Sequence, residues 1–170
     1  MTPEAVGPLS RLVDVRNLPP HGSEARVEAN PEECAALARD FKIPAVRSLK
    51  GEFKLKGSAR RIHVSGRVTA AITQICVVTL EPFDSTLEEE VEVDFSDAAG
   101  IPVDPPSEIH GYVPPDEIVN GHVDLGALTA EFLALGLDPY PRKPGVDFSF
   151  EGGPAEKDSP FAALGKLKQK

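Results

Sequence analysis

Nine basic side chains, Arg39, Lys42, Arg47, Lys50, Lys54, Lys56, Arg60, Arg61 and Arg67, crowd into one stretch that holds only two acids, Asp40 and Glu52. Lys and Arg at this density are the chemistry of phosphate contact, since each can neutralise one backbone charge of a nucleic acid. Arg47, Lys50, Lys54, Lys56, Arg60, Arg61 and Arg67 are spaced to lie on two neighbouring strands and the turn between them, a candidate RNA-binding patch. From Val68 to Pro141 Lys and Arg are absent, while fifteen Asp and Glu run from Glu81 to Asp138. Glu88, Glu90 and Glu92 recur at every second position. Carboxylates spaced this way on a solvated strand lack the burial and the defined partner that tune an acid for catalysis. They suit repulsion of non-cognate RNA or capture of a basic protein. The separation of charge along the chain predicts a basic face and an acidic face on a domain whose net charge is −9.

Other chemistry is sparse. A zinc site needs about four closely spaced ligands, and Cys76 with His21, His63, His110 and His122 matches no such spacing. There is no glycine-rich phosphate loop ending in Lys-Ser or Lys-Thr, no Gly-x-Ser-x-Gly elbow and no His-Glu-x-x-His. A reactive thiolate wants a positive or polar setting, whereas Cys76 lies among Ile75, Val77 and Val78, which predicts a packing role. No enzyme activity, metal or cofactor is expected. Cys34 and Cys76 are far apart and give no disulfide framework, which fits a reducing compartment. The opening MTPEAVGPLSRLV lacks the features of a secretory signal, and no apolar run approaches a membrane span, so a cytoplasmic protein is expected.

The elements that must position these residues can be traced by periodicity. Leu12 to Val15 and Ala25 to Ala29 read as short strands. Asn30, Pro31 and Glu33 are spaced as a capping box with proline in the first turn, followed by Cys34, Leu37, Ala38 and Phe41 on one helical face and a stop at Ile43-Pro44. Phe53 and Leu55 alternate with Glu52, Lys54 and Lys56, and Gly57-Ser58 offers a turn. A long strand follows, with Ile62, Val64, Gly66, Val68, Ala70 and Ile72 on one face and His63, Ser65, Arg67, Thr69 and Thr73 on the other. Leu87, Val91, Val93 and Phe95 then alternate with Thr86, Glu88, Glu90, Glu92 and Asp94. The proline-rich stretch from Asp97 to Glu117 reads as a long connection. Asp124 can cap a second helix striped by Leu125, Leu128, Phe132 and Leu135, broadened by Leu133 and Leu137 and stopped at Gly136, with Glu131 at its edge positioned for a backbone group or Arg142. The reading is α+β: a mostly antiparallel sheet, two packed helices and a short C-terminal helix. Residues 1–150 form one domain. Residues 151–170 form a glycine-containing tether and a basic helix whose Phe161, Leu164 and Lys166 could meet a protein partner.

The order of motifs adds a resemblance. Cys76-Val77-Val78-Thr79-Leu80-Glu81-Pro82-Phe83, the acidic strand, Gly121-His122-Val123-Asp124-Leu125, Glu131, Asp138-Pro139-Tyr140-Pro141-Arg142 and the terminal Ser159-Pro160-Phe161-Ala162-Ala163-Leu164 together resemble the YceD family in its alphaproteobacterial style. Cys76, Leu80, Pro82, Asp124, Glu131, Pro160 and Phe161 carry the likeness. It implies a non-enzymatic bacterial factor for accumulation of large-subunit (23S) ribosomal RNA, with plastid relatives and an older description as metal- and nucleic-acid-binding. Its implied partner is large-subunit ribosomal RNA or its precursor. The alternative is an acidic adaptor for a ribosomal protein or processing nuclease. Family members often carry Cys-x-x-Cys where this chain has Cys76 followed by Thr79, and a further cysteine after the Tyr-Pro-Arg segment that is missing here, so the metal does not carry over.

Overall fold

A computed structural model describes residues 7–97 and 114–149. Its elements are β1 (Leu12–Asp14), β2 (Ser23–Glu28), α1 (Pro31–Asp40), β3 (Ala45–Ser58), β4 (Arg61–Ile75), β5 (Pro82–Ser96), β6 (Asp116–Glu117), β7 (His122–Asp124) and α2 (Leu125–Gly136). β2, β3, β4, β5 and β6 form one sheet in that order, antiparallel except for the short parallel pairing of β6 with β5; β1 and β7 form a separate antiparallel pair. The α+β expectation therefore holds for the sheet and both helices, while the C-terminal helix falls outside the described residues. Among the described residues, no helix is long and apolar enough to cross a membrane.

The capping box of α1 forms as its spacing predicts. Asn30 Oδ1 accepts the Glu33 N–H at 2.9 Å, and Glu33 Oε2 accepts the Asn30 N–H at 2.8 Å, satisfying two N–H groups that the helix itself cannot. The helix ends earlier than Ile43-Pro44. Lys42 turns left-handed at φ 55°, its N–H bonds to Arg39 O and that of Ile43 to Ala38 O, the two bonds of a Schellman cap. Cys34, Leu37 and Ala38 are buried.

Alternation holds from Leu49 to Leu55, from Ile62 to Ile72 and through β5, so one face of the sheet is apolar. Leu49, Phe53, Leu55, Ile62, Val64, Val68, Ala70, Ile72, Val91 and Phe95 pack there with Leu37, Leu125 and Leu133 from the helices. The hairpin turn falls at Ala59 and Arg60, two residues beyond the predicted Gly57-Ser58. Gly57 is needed within the strand instead: its φ is 137°, and a Cβ there would collide with the Arg61 carbonyl.

α2 lies on the apolar face through a stripe rotated from the predicted one. Leu125, Leu128, Thr129 and Leu133 are buried, Phe132 is half-buried and Leu135 is exposed. Small residues set this rotation. A Cβ on Gly51 would meet the Phe53 ring and Thr129 Oγ1, and one on Gly136 would meet Glu89, so the helix approaches the sheet where side chains are smallest. Thr129 satisfies its buried hydroxyl by donating to Leu125 O at 2.6 Å.

Asp124 joins distant parts of the chain. Its carboxylate caps α2 by accepting the N–H groups of Gly126 and Ala127 at 3.0 and 3.1 Å, and it also accepts from the Arg11 N–H at 2.7 Å and the Ser10 hydroxyl at 2.6 Å. Arg11 in turn holds Glu33 with both guanidinium NH2 groups, at 2.8 and 2.9 Å. The segment before β1 thus ties the starts of both helices together. Asp124→Ala should lower stability by about 2–4 kcal/mol, as an N-cap and two further charge-assisted bonds are lost. A denaturant midpoint unchanged from wild type would contradict this role.

Candidate nucleic-acid interface

The bulk of the candidate basic residues project from the face of the sheet opposite the core. Strand pairing does not leave them together. β2 runs antiparallel to β3 and sets Glu24 beside Lys54, Arg26 beside Glu52 and Glu28 beside Lys50. β5 runs antiparallel to β4 and sets Glu90 beside Arg67, Glu88 beside Thr69 and Asp94 beside His63. The outcome is an alternating field of charge, with ion pairs Lys50–Glu28 at 3.3 Å, Lys54–Glu24 at 3.8 Å, Arg26–Glu52 at 3.5 Å and Arg67–Glu88 at 3.1 Å. The predicted separation into a basic and an acidic face is corrected: both signs share one face because neighbouring strands come from different parts of the sequence. Exposed pairs of this kind stabilise little, but they cancel much of the long-range field that steers a polyanion.

Arg47 is also engaged. Pairing between β3 and β4 slips between Val46 and Ser48, and Arg47 Nε donates to Thr73 Oγ1 and Asp84 Oδ1, both at 3.2 Å. The Thr73 hydroxyl at 2.6 Å, and then Arg47, hold the Asp84 carboxyl below the usual carboxylate range.

Among the described residues of this outer face, the end of the β3–β4 hairpin keeps a local excess of cations. Lys56 and Arg61 have no ion-pair partner among the described residues, and Arg60, 88 % exposed at its side chain, reaches Asp97 only at 3.9 Å. His21, on the loop before β2, borders the same end in a shallow hollow with Lys54 and Lys56. The sequence pattern did not single out His21 for this interface, since only the pairing of β2 with β3 brings it there. His63, also on the outer face, pairs across the strands with Asp94 at 3.0 Å.

The acids Glu88, Glu90 and Glu92 stand in a row on β5, all exposed. Glu131 is exposed too and makes no bond to Arg142; it lines an apolar groove of about 270 Å³ with Leu12, Phe95, Val119 and Leu128. Phe161, Leu164, Lys166 and Pro160 lie outside the described residues.

Cys76 occupies a tight loop between β4 and β5. It is buried, as a packing residue would be, yet its surroundings are not simply apolar. The Lys143 N–H points at Sγ from 3.4 Å. Together with the hydroxyl and N–H of Thr79 and the N–H of Val78, it pulls the thiol down to about 6. Val77 N–H bonds to Pro141 O, and Leu80 closes the loop in a left-handed conformation at φ 60°. The segment after Tyr140-Pro141-Arg142 therefore does return to Cys76, but it brings the Lys143 N–H to the sulfur and the Lys143 ammonium to Glu81, at 3.3 Å. One sulfur encircled by donors does not fit a zinc ion.

Because the folded thiol is more acidic than an unfolded one, its thiolate stabilises the fold fully above the unfolded value near 9 and loses that contribution as pH falls through about 6. Thiolate absorbance of the native protein should rise with a midpoint near 6 for Cys76. Burial, and then Glu33, raise the Cys34 thiol above its ordinary range, so it should titrate separately and later. A single late step for both thiols would contradict the donor cage.

No curated protein and no solved structure matches the chain. A family model does, over residues 64–168, more than half of the sequence, including most of β4, the Cys76 loop, β5 and the Asp124-capped helix. The chain belongs to the YceD family, described as the large ribosomal RNA subunit accumulation protein.

Proposed function

We propose that this protein supports accumulation of large-subunit ribosomal RNA without catalysing a reaction, acting in the cytoplasm and touching the RNA directly with the free end of the β3–β4 hairpin. Family membership supplies the ribosomal part of this reading. The observation that carries the contact is the placement of Lys56 and Arg61, which have no ion-pair partner among the described residues, beside the exposed Arg60, whose pair with Asp97 is long at 3.9 Å. Lys50, Lys54 and Arg67 have cross-strand partners, and Arg47 is bound to Asp84. They contribute less, because RNA must first compete with a carboxylate for each of them. Reversing the three hairpin residues tests the assignment through the salt dependence of RNA association.

A second reading makes the molecule an acidic adaptor for a basic ribosomal protein or a processing nuclease. Glu90 favours it: this exposed acid has no ion pair among the described residues, and Glu88 and Glu92 flank it on the same strand face. The tail residues Phe161, Leu164 and Lys166 would add a hook for the same partner.

A further inference from the structure

The side of β5 turned away from β4 is an open edge. β6 pairs with the end of β5 at Phe95 and Ser96, so no strand lies beside the stretch from Asp84 to Glu92 among the described residues. The direction of its backbone groups follows from two bonds. Ser96 O accepts from Ile118 N–H on the open side, whereas Asp97 N–H bonds Arg60 O on the β4 side. The pairing of β4 with β5 shows no slip of register, and peptide groups alternate along a strand. The N–H and C=O of the even-numbered residues Asp84, Thr86, Glu88, Glu90 and Glu92 therefore face outward along the edge. Such a row of donors and acceptors is a template for one more strand.

The geometry points to this edge as a docking site for an extended, Lys- or Arg-rich segment of a protein partner, which adds to the sheet as a strand beside β5. Charge selects the occupant. The residues that offer the free backbone groups also place Glu88, Glu90 and Glu92 on the outer face, where an incoming strand would set its own side chains directly opposite them. A second copy of β5 would oppose glutamate to glutamate, and RNA phosphates would meet the same row of carboxylates. On the other face, Leu87 and Val93 are only partly buried and would lie beside apolar side chains of the guest. An alternating basic and apolar segment fits both faces. This mode of binding rests on the adaptor reading of the acidic strand and is separate from RNA contact at the hairpin.

The test uses the full chain and two synthetic peptides of equal charge, one alternating Lys with Val and one alternating Lys with Pro, which cannot build a ladder. Hydrogen exchange followed by NMR should show the amides of Glu88, Glu90 and Glu92 exchanging freely in the protein alone and slowing with the Lys-Val peptide only. Glu90→Pro removes one outward N–H but no bond to β4, and should weaken that peptide roughly tenfold. Glu88→Gln, Glu90→Gln and Glu92→Gln together should weaken it by about as much while leaving the strand intact. Equal binding of both peptides, or edge amides already protected in the free protein, would overturn the proposal. In cells, loss of basic ribosomal proteins on Glu→Lys reversal of the three glutamates but not in Glu90→Pro would retain the adaptor and reject strand addition. Unchanged co-purification in both would reject the adaptor itself.

Discussion

Reversal of Lys56, Arg60 and Arg61 to glutamate should weaken association with large-subunit ribosomal RNA roughly ten- to a hundredfold at moderate salt and flatten its salt dependence. Each phosphate contact releases bound counterions, contributing about 0.7 to 0.9 to the slope of log affinity against log salt. Losing two or three contacts should therefore lower the slope by roughly 2. The comparison that gives this weight is Lys50 and Lys54 reversed together. They lie in the same basic segment, but their cross-strand partners Glu28 and Glu24 already cancel much of their field. Their reversal should reduce affinity by only a few-fold. Equal losses from both variants would mean that the whole strand face meets RNA, and the hairpin would have no special place.

Gly66→Ala should unfold or severely destabilise the domain, by about 3 kcal/mol or more. Gly66 sits opposite Phe53 in the β3–β4 ladder, and a Cβ there would collide with the Glu52 carbonyl oxygen and the Phe53 Cα. Both obstacles are backbone, so no side-chain rotation relieves the contact. The strands would have to part beneath the largest fully buried side chain of the core. Ser65→Ala, next along β4 and on the outer face, should stay within about 0.5 kcal/mol of wild type. A Gly66→Ala protein with a normal thermal midpoint would show that β3 and β4 do not approach this closely.

The elements were legible in the sequence wherever one physical pattern fixed them. Alternation marked the buried faces of β3, β4 and β5, and Asn30 with Glu33 marked the start of α1, because these signals are local. Partnership between strands was not legible in the same way. Lys50, Lys54 and Arg67 looked like one basic surface, but the antiparallel pairing of β2 with β3 and of β4 with β5 brings acids from remote segments between them. Charge that is segregated along a chain need not be segregated in space. The rotation of the buried stripe of α2 was missed for a related reason: Gly51, Thr129 and Gly136 set it by being small, and smallness leaves no hydrophobic signature. Cys76 was placed correctly in the interior. Its acidic thiol was hidden because the donors come from peptide N–H groups, one of them on Lys143, far along the chain.

The decisive measurement is ultraviolet crosslinking of the tagged protein in growing cells, with sequencing of the attached RNA and mapping of the attached peptide. Direct recognition predicts enrichment of large-subunit precursor RNA, crosslinked at the Lys56–Arg61 end of the hairpin and lost on its reversal. Ribosomal proteins co-purifying without any RNA crosslink would contradict it and leave the protein acting on ribosomal RNA through another protein.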